Sequence, residues 1–449
     1  MAVEPQEVPG SVPERTTGAR RDPARRRAWT VLALLVCLVI VNYADKVVVG
    51  LAGVDMKEDL GLSDAEFGVI QSSFFWLFAL GSVVGGWLGG KVRARWLLAG
   101  LGALWAISLA PVAAQAGFTT IVACRVLLGF AEGPTTAIAM QVTHSWFPAH
   151  RRALPSSIVV AGAGIGPLIA SPVLTWVILE YSWRAAFGVL AVTGVVVTAM
   201  WLIGGDSGPE DTTAGHGRAA GHDHGAGSTA PALPERVPLR RLFSTGTIIG
   251  MAVLFFVAYA NTSVKVSWLP LYLREGLGYD ATTAGRLVAL PYLFAAIAVL
   301  VVGAVSTVMT RRGISGRVTR GLLPAVLVLS SGVCTIAFSS LDRGVPQMVL
   351  LVLGSCLNSA GYGVLFAGLA DVAPAAQRGV VFGIITAIYS LGAVVAPIVI
   401  GNFIDSSASV AAGYGSGFLV LGITTIVGAA VALPLINPGR DIAKLAARA

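Results

Sequence analysis

The sequence predicts an all-α membrane protein with twelve transmembrane helices arranged in two pseudo-symmetric six-helix bundles. Three observations lead there. The 449-residue chain is 55% hydrophobic and only 12% charged, whereas a soluble domain carries about 25% charged residues to keep its surface wet. Twelve windows are each long and apolar enough to cross a bilayer, which takes about 20 residues of helix. One long polar interruption divides those windows six and six. The low charge and the 54 glycines, which follow no collagen-like period, exclude collagen-like, coiled-coil and disordered classes.

The predicted spans are 29–53, 66–89, 96–116, 118–144, 154–179, 184–204, 245–273, 282–308, 319–340, 346–370, 379–404 and 412–434. Strands are excluded, because open backbone in hydrocarbon leaves polar groups unpaired. Around the spans the chain divides into a basic cytoplasmic tail (1–28), an N-terminal bundle (29–204), a flexible cytoplasmic linker (205–244), a C-terminal bundle (245–434) and a cytoplasmic tail (435–449). No cleavable signal peptide is expected, since the first apolar run is long enough to span.

Orientation follows from Lys and Arg. Of the 31 in the chain, 23 fall on the side that carries both termini and the linker, and five (Lys57, Arg184, Arg274, Arg286, Arg343) on the other. That bias predicts cytoplasmic termini. It also explains the net charge of +8 as topology, with no basic patch for nucleic acid. The run RRDPARRR at 20–27 reads as an anchor for the first span. The linker is rich in Gly, Ala and Pro, and its His216, His222 and His224 lack the preorganised shell a metal site needs. Cys37, Cys124, Cys334 and Cys356 lie inside apolar stretches with no CxxC, so neither a disulfide framework nor a metal site is expected.

The halves carry matching marks. Arg152 to Gly166 and Arg378 to Gly392 are equally spaced, and Pro172 and Pro397 follow at near-equal offsets. Two six-helix repeats around a linker is a transporter plan, with the site near the midplane between repeats.

A charge at the centre of a span costs about 3 kcal/mol, so charges that remain there usually face a cavity and pair. Five such residues stand out: Asp45 and Lys46 in the first span, Arg125 and Glu132 in the fourth, and Lys265 in the seventh. Arg125 and Glu132 are two turns apart, about 10 Å along one helix face. Gly129 lies between them and reads as room for a ligand, and Pro134 weakens the helix just beyond. Asn42 falls one turn below Asp45, and Tyr43 one turn below Lys46. Taken as one set, the three cations exceed the two carboxylates by one charge. A structural ion-pair network is the plainer reading, but buried pairs are poor stabilisers. An anionic substrate would cancel the excess, while a carboxyl beside the cations exchanges a proton as its neighbours change.

At these residues the chain resembles the major facilitator superfamily, and within it the anion:cation symporter branch of sugar-acid, phthalate-type and vesicular glutamate carriers. The resemblance rests on VNYADKVVVGLA (41–52), SSFFWLFALGSVVGGWLGG (72–90), RVLLGFAEGP (125–134), WFPAHRRA (146–153), WRAAF (183–187), WLPLYL (268–273) and the run from Asp371 to Asp405. It implies proton-coupled uptake of a small organic anion by alternating access, without enzymatic activity or cofactor, the proton gradient supplying energy. It implies Asp45 and Glu132 for proton coupling, and Lys46 and Arg125 for the anion. Lys46 stands where the branch usually has Arg, which loses planar bidentate grip. Phe78, Phe366 and Ser390 stand in place of Tyr, Trp and Asn, so a less polar carboxylate fits better than a polyhydroxylated one. Tyr43, Phe78, Tyr292, Tyr362, Phe366, Tyr389, Ser390 and Lys265 are the expected lining. The expected partners are the anion, protons and membrane lipid, with no nucleic acid, for a monomer in the plasma membrane. The loop pairs that latch the cytoplasmic side read Gly90-Lys91 and Thr307-Val308, so the latch is expected to differ. The alternative is a proton-antiport exporter of drugs or metabolites. Gly162-xxx-Gly166-Pro167 resembles the start of the antiporter motif, which then fails at Ala170-Ser171.

Overall fold

The computed structural model describes residues 23–89, 91–147, 153–208, 236–374 and 377–447. Residues 1–22 of the basic tail, Arg151 and Arg152, and the three linker histidines lie outside them, while 23–28 of the tail begin the first helix. Among the described residues twelve helices are long and apolar enough to cross a membrane, at the places the apolar windows predict.

Several predicted spans are resolved more finely. The first is α1 (Pro23–Leu60). The second is two helices, α2 (Asp64–Trp76) and α3 (Phe78–Gly89), followed by α4 (Ala94–Ala113). The fourth is also two, α5 (Phe118–Glu132) and α6 (Thr135–Trp146). Pro134 is the reason: it has no N–H to continue the ladder and clashes with the preceding turn, so α5 ends on Glu132 itself. Next come α7 (Ala153–Glu180), α8 (Trp183–Gly204), a short α9 (Leu239–Phe243), α10 (Gly246–Leu271) extended by a π turn at Tyr272–Gly276, and α11 (Ala281–Arg311). A second π turn at Arg317–Leu322 opens α12 (Leu323–Ser339), then α13 (Val345–Val372), α14 (Arg378–Asp405) and α15 (Val410–Leu435) follow. The tail expected beyond 435 contains α16 (Pro438–Ala446), and the linker expected to run to 244 contains α9. Both short helices pack on the second half, through buried Leu242 and Leu445.

Local chemistry sets the helix starts. Ser63 and Glu66 form a capping box at α2, which satisfies two otherwise orphaned N–H groups. Ser182, Asp280 and Ser409 cap α8, α11 and α15 by accepting one backbone N–H each.

The halves meet mainly through α1 on α10, α2 on α14 and α7 on α11. Their described hydrogen bonds and ion pairs all lie toward the face opposite the termini, here the distal face. Lys57 pairs with Glu275 at 2.9 Å and Arg274 with Asp55 at 2.6 Å. Asp405 at the end of α14 accepts the backbone N–H groups of Asp64 and Ala65, at 2.9 and 2.8 Å. A carboxylate in front of a helix N-terminus meets both orphan donors and the positive end of the helix dipole. Gly68 lets α2 lie against the Pro397 carbonyl, where a Cβ would stand 2.7 Å from its oxygen. On the side of the termini, Arg320 pairs with Asp371 at 3.0 Å and donates to Ser306 at 3.0 Å, tying α11 to α13 within the second half. Lys91 lies over the Trp87 ring at 3.7 Å.

Gly129 does not open room for a ligand. A Cβ there would overlap the Phe74 carbonyl oxygen of α2, so the glycine permits two backbones to touch. Gly129→Ala is therefore expected to lower the Tm of the purified protein steeply or prevent its accumulation. Gly86→Ala, where a Cβ meets nothing within 4 Å, is expected to be neutral. Equal melting curves for the two variants would contradict the packing account.

Candidate functional site

The site is built where α1, α2 and α5 cross. Asp45, Arg125 and Glu132 are 0, 3 and 3% exposed, so four formal charges, with Lys46, are held in a nearly dry space. Lys46 Nζ donates to Glu132 Oε2 at 2.5 Å, to Asn42 Oδ1 at 2.8 Å and to the Asn42 carbonyl at 3.3 Å. It also lies 4.4 Å from the Tyr43 ring centroid. Lys46 thus reaches one turn back along α1, to Asn42 and Tyr43, as helix spacing allows.

Arg125 is held differently. Its guanidinium lies 4.8 Å from the Phe74 ring centroid, and Phe74 also faces Lys46 at 5.5 Å. Nε and Nη1 of Arg125 are buried without a protein hydrogen-bond partner, as are both oxygens of Asp45 and Oε1 of Glu132. Asp45 sits within electrostatic range of Arg125, Glu132 and Lys46, beside the Trp105 indole of α4. The cluster holds unspent donors and unspent acceptors side by side. Buried polar groups are rarely left so, and buried donors on an arginine fit an anion.

The two halves share an aromatic wall below these charges. Phe75 meets Tyr259 of α10 edge-on at 5.7 Å, and Tyr259 meets Tyr389 of α14 at 4.5 Å and Tyr362 of α13 at 6.4 Å. Phe255 packs on Phe366 at 4.7 Å, with Tyr362 and Tyr389 beyond. Phe78 completes the wall on the first half, 5.7 Å from Phe74. Tyr259 is in electrostatic range of both Tyr43 and Glu132, so it joins the wall to the charges.

Of the sequence-predicted residues, Asp45, Lys46, Arg125, Glu132 and Tyr43 come together, and Phe78, Tyr362, Phe366 and Tyr389 line the adjoining wall. Three do not join them. Lys265 is turned into the second half, where its buried Nζ has no hydrogen-bond partner and its electrostatic neighbours are Cys334 and Cys356. Its place on α10 is a full turn beyond Asn261, whose amide reaches Thr335 and Thr425 on α12 and α15. The excess of one positive charge expected for the cavity is therefore absent: the cluster is two cations against two carboxyls. Tyr292 has its backbone carbonyl at the α7–α11 seam beside Gly164, and none of the four charged residues is among its electrostatic neighbours. Ser390 donates its hydroxyl proton to the Thr386 carbonyl one turn back, which leaves it no proton for a substrate.

Phe74, Phe75, Phe255 and Tyr259 were missed. The aromatic run 72–78 was available in the sequence as a signal, but its periodicity looks the same for a lipid-facing stripe and a cavity wall. Gly162 and Gly166 also have a plain role. A Cβ at Gly166 would overlap the Ile40 carbonyl oxygen, and one at Gly162 would press on Val39 at 3.1 Å, so both glycines seat α7 on α1.

The family model for the Major Facilitator Superfamily matches residues 34–341 and 251–448. Among curated relatives, a probable galactarate/D-glucarate transporter of Bacillus subtilis is 22% identical over 428 residues, covering 91% of this chain and 92% of the relative. A D-galactonate transporter of Escherichia coli is 26% identical over 393 residues, covering 84% and 89%. The fold matches a bacterial homologue of the human lysosomal transporter Spinster, solved inward-facing and unoccupied. The TM-score is 0.72 at 18% identity, with 94% of this chain and 98% of that one covered.

The Lys46–Glu132 pair is the cluster's shortest contact. Lys46→Met leaves Glu132 buried without its hydrogen-bonded cation, a change that costs about 3–5 kcal/mol when the charge stays. The double variant Lys46→Met/Glu132→Gln is expected to melt well above the value that the two single variants sum to. Independent groups add to within about 0.5 kcal/mol, so strict additivity in a double-mutant cycle would show that the pair is not coupled.

Proposed function

The chain belongs to the major facilitator superfamily, and from that premise we propose that it takes up a small organic anion together with a proton, both held by the α1–α5 charge cluster. It is an integral, multi-pass membrane transporter and not an enzyme. In this reading both termini are cytoplasmic and the membrane is the plasma membrane. The conformer described, joined across its distal face, is then the inward-facing one.

One observation supports the reading above the others: Lys46 is spent on Glu132, while Arg125 keeps buried donors unspent beside it. With both carboxyls ionised, the empty cluster is neutral. A proton on Glu132 releases Lys46 and leaves one positive charge in a dry space. A carboxylate entering between Lys46 and Arg125 cancels that charge. Proton and anion therefore favour each other's binding by the same electrostatic work, and such coupling is reciprocal. It also sets which states reorient. The empty, ionised cluster and the doubly loaded one are both neutral, whereas a cluster holding only one of the two ions is charged and held back in low dielectric. On this arithmetic a dianion needs a second proton, for which Asp45 is the acceptor.

The aromatic wall supports a carboxylate with an apolar or aromatic body, packed on Phe75, Tyr259 and Tyr389. The sugar-acid names of the relatives support the competing choice of a polyhydroxylated anion, for which the Tyr259, Tyr362 and Tyr389 hydroxyls are the available partners. A thermal-shift screen against mono-, di- and polyhydroxy carboxylates separates the two. The exporter reading loses its one motif, because Gly162 and Gly166 are explained by helix packing.

Glu132→Gln is expected to abolish proton-driven accumulation in proteoliposomes while substrate counterflow persists, and normal accumulation by this variant would refute the coupling. Arg125→Ala is expected to weaken substrate binding at least 100-fold, since a charge-assisted bond in a dry site contributes about 3 kcal/mol. Unchanged affinity would remove Arg125 from the anion site.

A further inference from the structure

Away from the charge cluster, on the face that carries the termini, α9, α16 and the start of α10 enclose a recess of about 320 Å³. Arg236, Arg241, Arg440 and Lys444 line it, with Asp441 as the single carboxylate among the described residues, beside Ser244, Thr245 and Gly246. Nothing in the transport reading uses it.

Asp441 is already committed. It accepts the Thr247 N–H at 2.8 Å, the Thr247 hydroxyl at 2.7 Å and Arg440 Nε at 3.0 Å. Burial opposes its charge, but these hydrogen bonds from Arg440 and Thr247 outweigh burial and hold its carboxyl below the ordinary range. It stays ionised at neutral pH and offsets its partner Arg440. Arg236 and Lys444 remain without a described ion pair beside the first turn of a 26-residue helix, whose dipole adds about half a positive charge at that end. Arg440 lies so close to it that a Cβ on Gly246 would stand 2.6 Å from Nη2. Cations are unfavourable at a helix N-terminus, so the fold gathers like charge here at a cost. Thr245 adds no relief, because its hydroxyl donates to the Leu242 carbonyl and caps nothing on α10. A general excess of basic residues on this face does not require them to converge on one recess.

The apolar surroundings say where the compensating anion comes from. Ile249 is one turn along α10 from Thr245 and 43% exposed, and Leu239 at the rim is 39% exposed. The recess therefore opens beside two exposed apolar side chains, where a span begins. We infer that it binds the phosphate of an anionic phospholipid head group, with the acyl chains starting against Leu239 and Ile249. Basic pockets at the membrane boundary hold such head groups by charge and hydrogen bonds together. Bound there, the lipid bridges the end of the linker at Arg236 to the C-terminal helix α16.

The test uses the full chain in phosphatidylcholine nanodiscs, with added phosphatidylglycerol or with inorganic phosphate, read by thermal shift. Phosphatidylglycerol is expected to raise the Tm, and inorganic phosphate at millimolar concentration is not. In Arg236→Gln/Lys444→Gln, two side chains that make no described hydrogen bond, the lipid is expected to bind about 30-fold more weakly, from about 1 kcal/mol per basic residue. Arg312→Gln/Arg317→Gln, on the same face but outside the recess, is expected to keep the full shift. Equal protection by inorganic phosphate would make this a soluble-phosphate site and overturn the lipid assignment. No shift with phosphatidylglycerol, or equal loss in the two double variants, would overturn the site altogether.

Discussion

Electrostatic neutrality in a dry interior governs this molecule. Two cations and two carboxyls share the crossing of α1, α2 and α5 with almost no exposed surface, and each is tolerable there only because the others are present. Removing a charge from water is expensive, and in low dielectric the attraction between neighbours is the main term that offsets it. The helices around the cluster are placed to keep it closed. Phe74 lies against both Lys46 and Arg125, and its backbone is pressed onto α5 at Gly129. The aromatic face that shields the cations and the glycine that admits it belong to one contact.

The same contact links packing to transport. Glu132 ends α5 because Pro134 stops the ladder two residues later, so its carboxyl stands at a helix break and faces Lys46. The wall that adjoins it crosses from one half to the other, through Phe75 on α2 and Tyr259 on α10. That edge-on contact joins the two halves, whereas the ionic cluster lies within the first half. The distal ion pairs behave differently. Lys57–Glu275, Arg274–Asp55 and the Asp405 cap all join opposite halves. They are partly exposed, unlike the dry cluster within the first half.

Much of this was legible before any coordinates. Twelve apolar windows in a weakly charged chain leave the bilayer as the only solvent that suits them, and a helix is the open-ended way to cross it. Asp45, Lys46, Arg125 and Glu132 stood out because a charge in a span is costly wherever it points. The breaks were less visible. Pro134 hinted at one, but nothing in 72–89 marks the division between α2 and α3. Lys265 shows the limit clearly. Its cost in a span is as evident as that of Arg125, yet it points toward Cys334 and Cys356 and takes no part in the cluster.

Composition and spacing settled the number of spans, their sites in the chain and which residues are expensive to bury, because those depend on transfer free energy and on the period of one helix. They could not settle which helix faces meet. Gly129 reads equally well as a gap for a ligand or as a seat for a backbone, and only the approach of Phe74 decides between them. Tyr259 became part of the wall, and Tyr292 and Ser390 did not, through the rotation of each helix about its own axis. That rotation is set by contacts between segments hundreds of residues apart, and no local pattern encodes it.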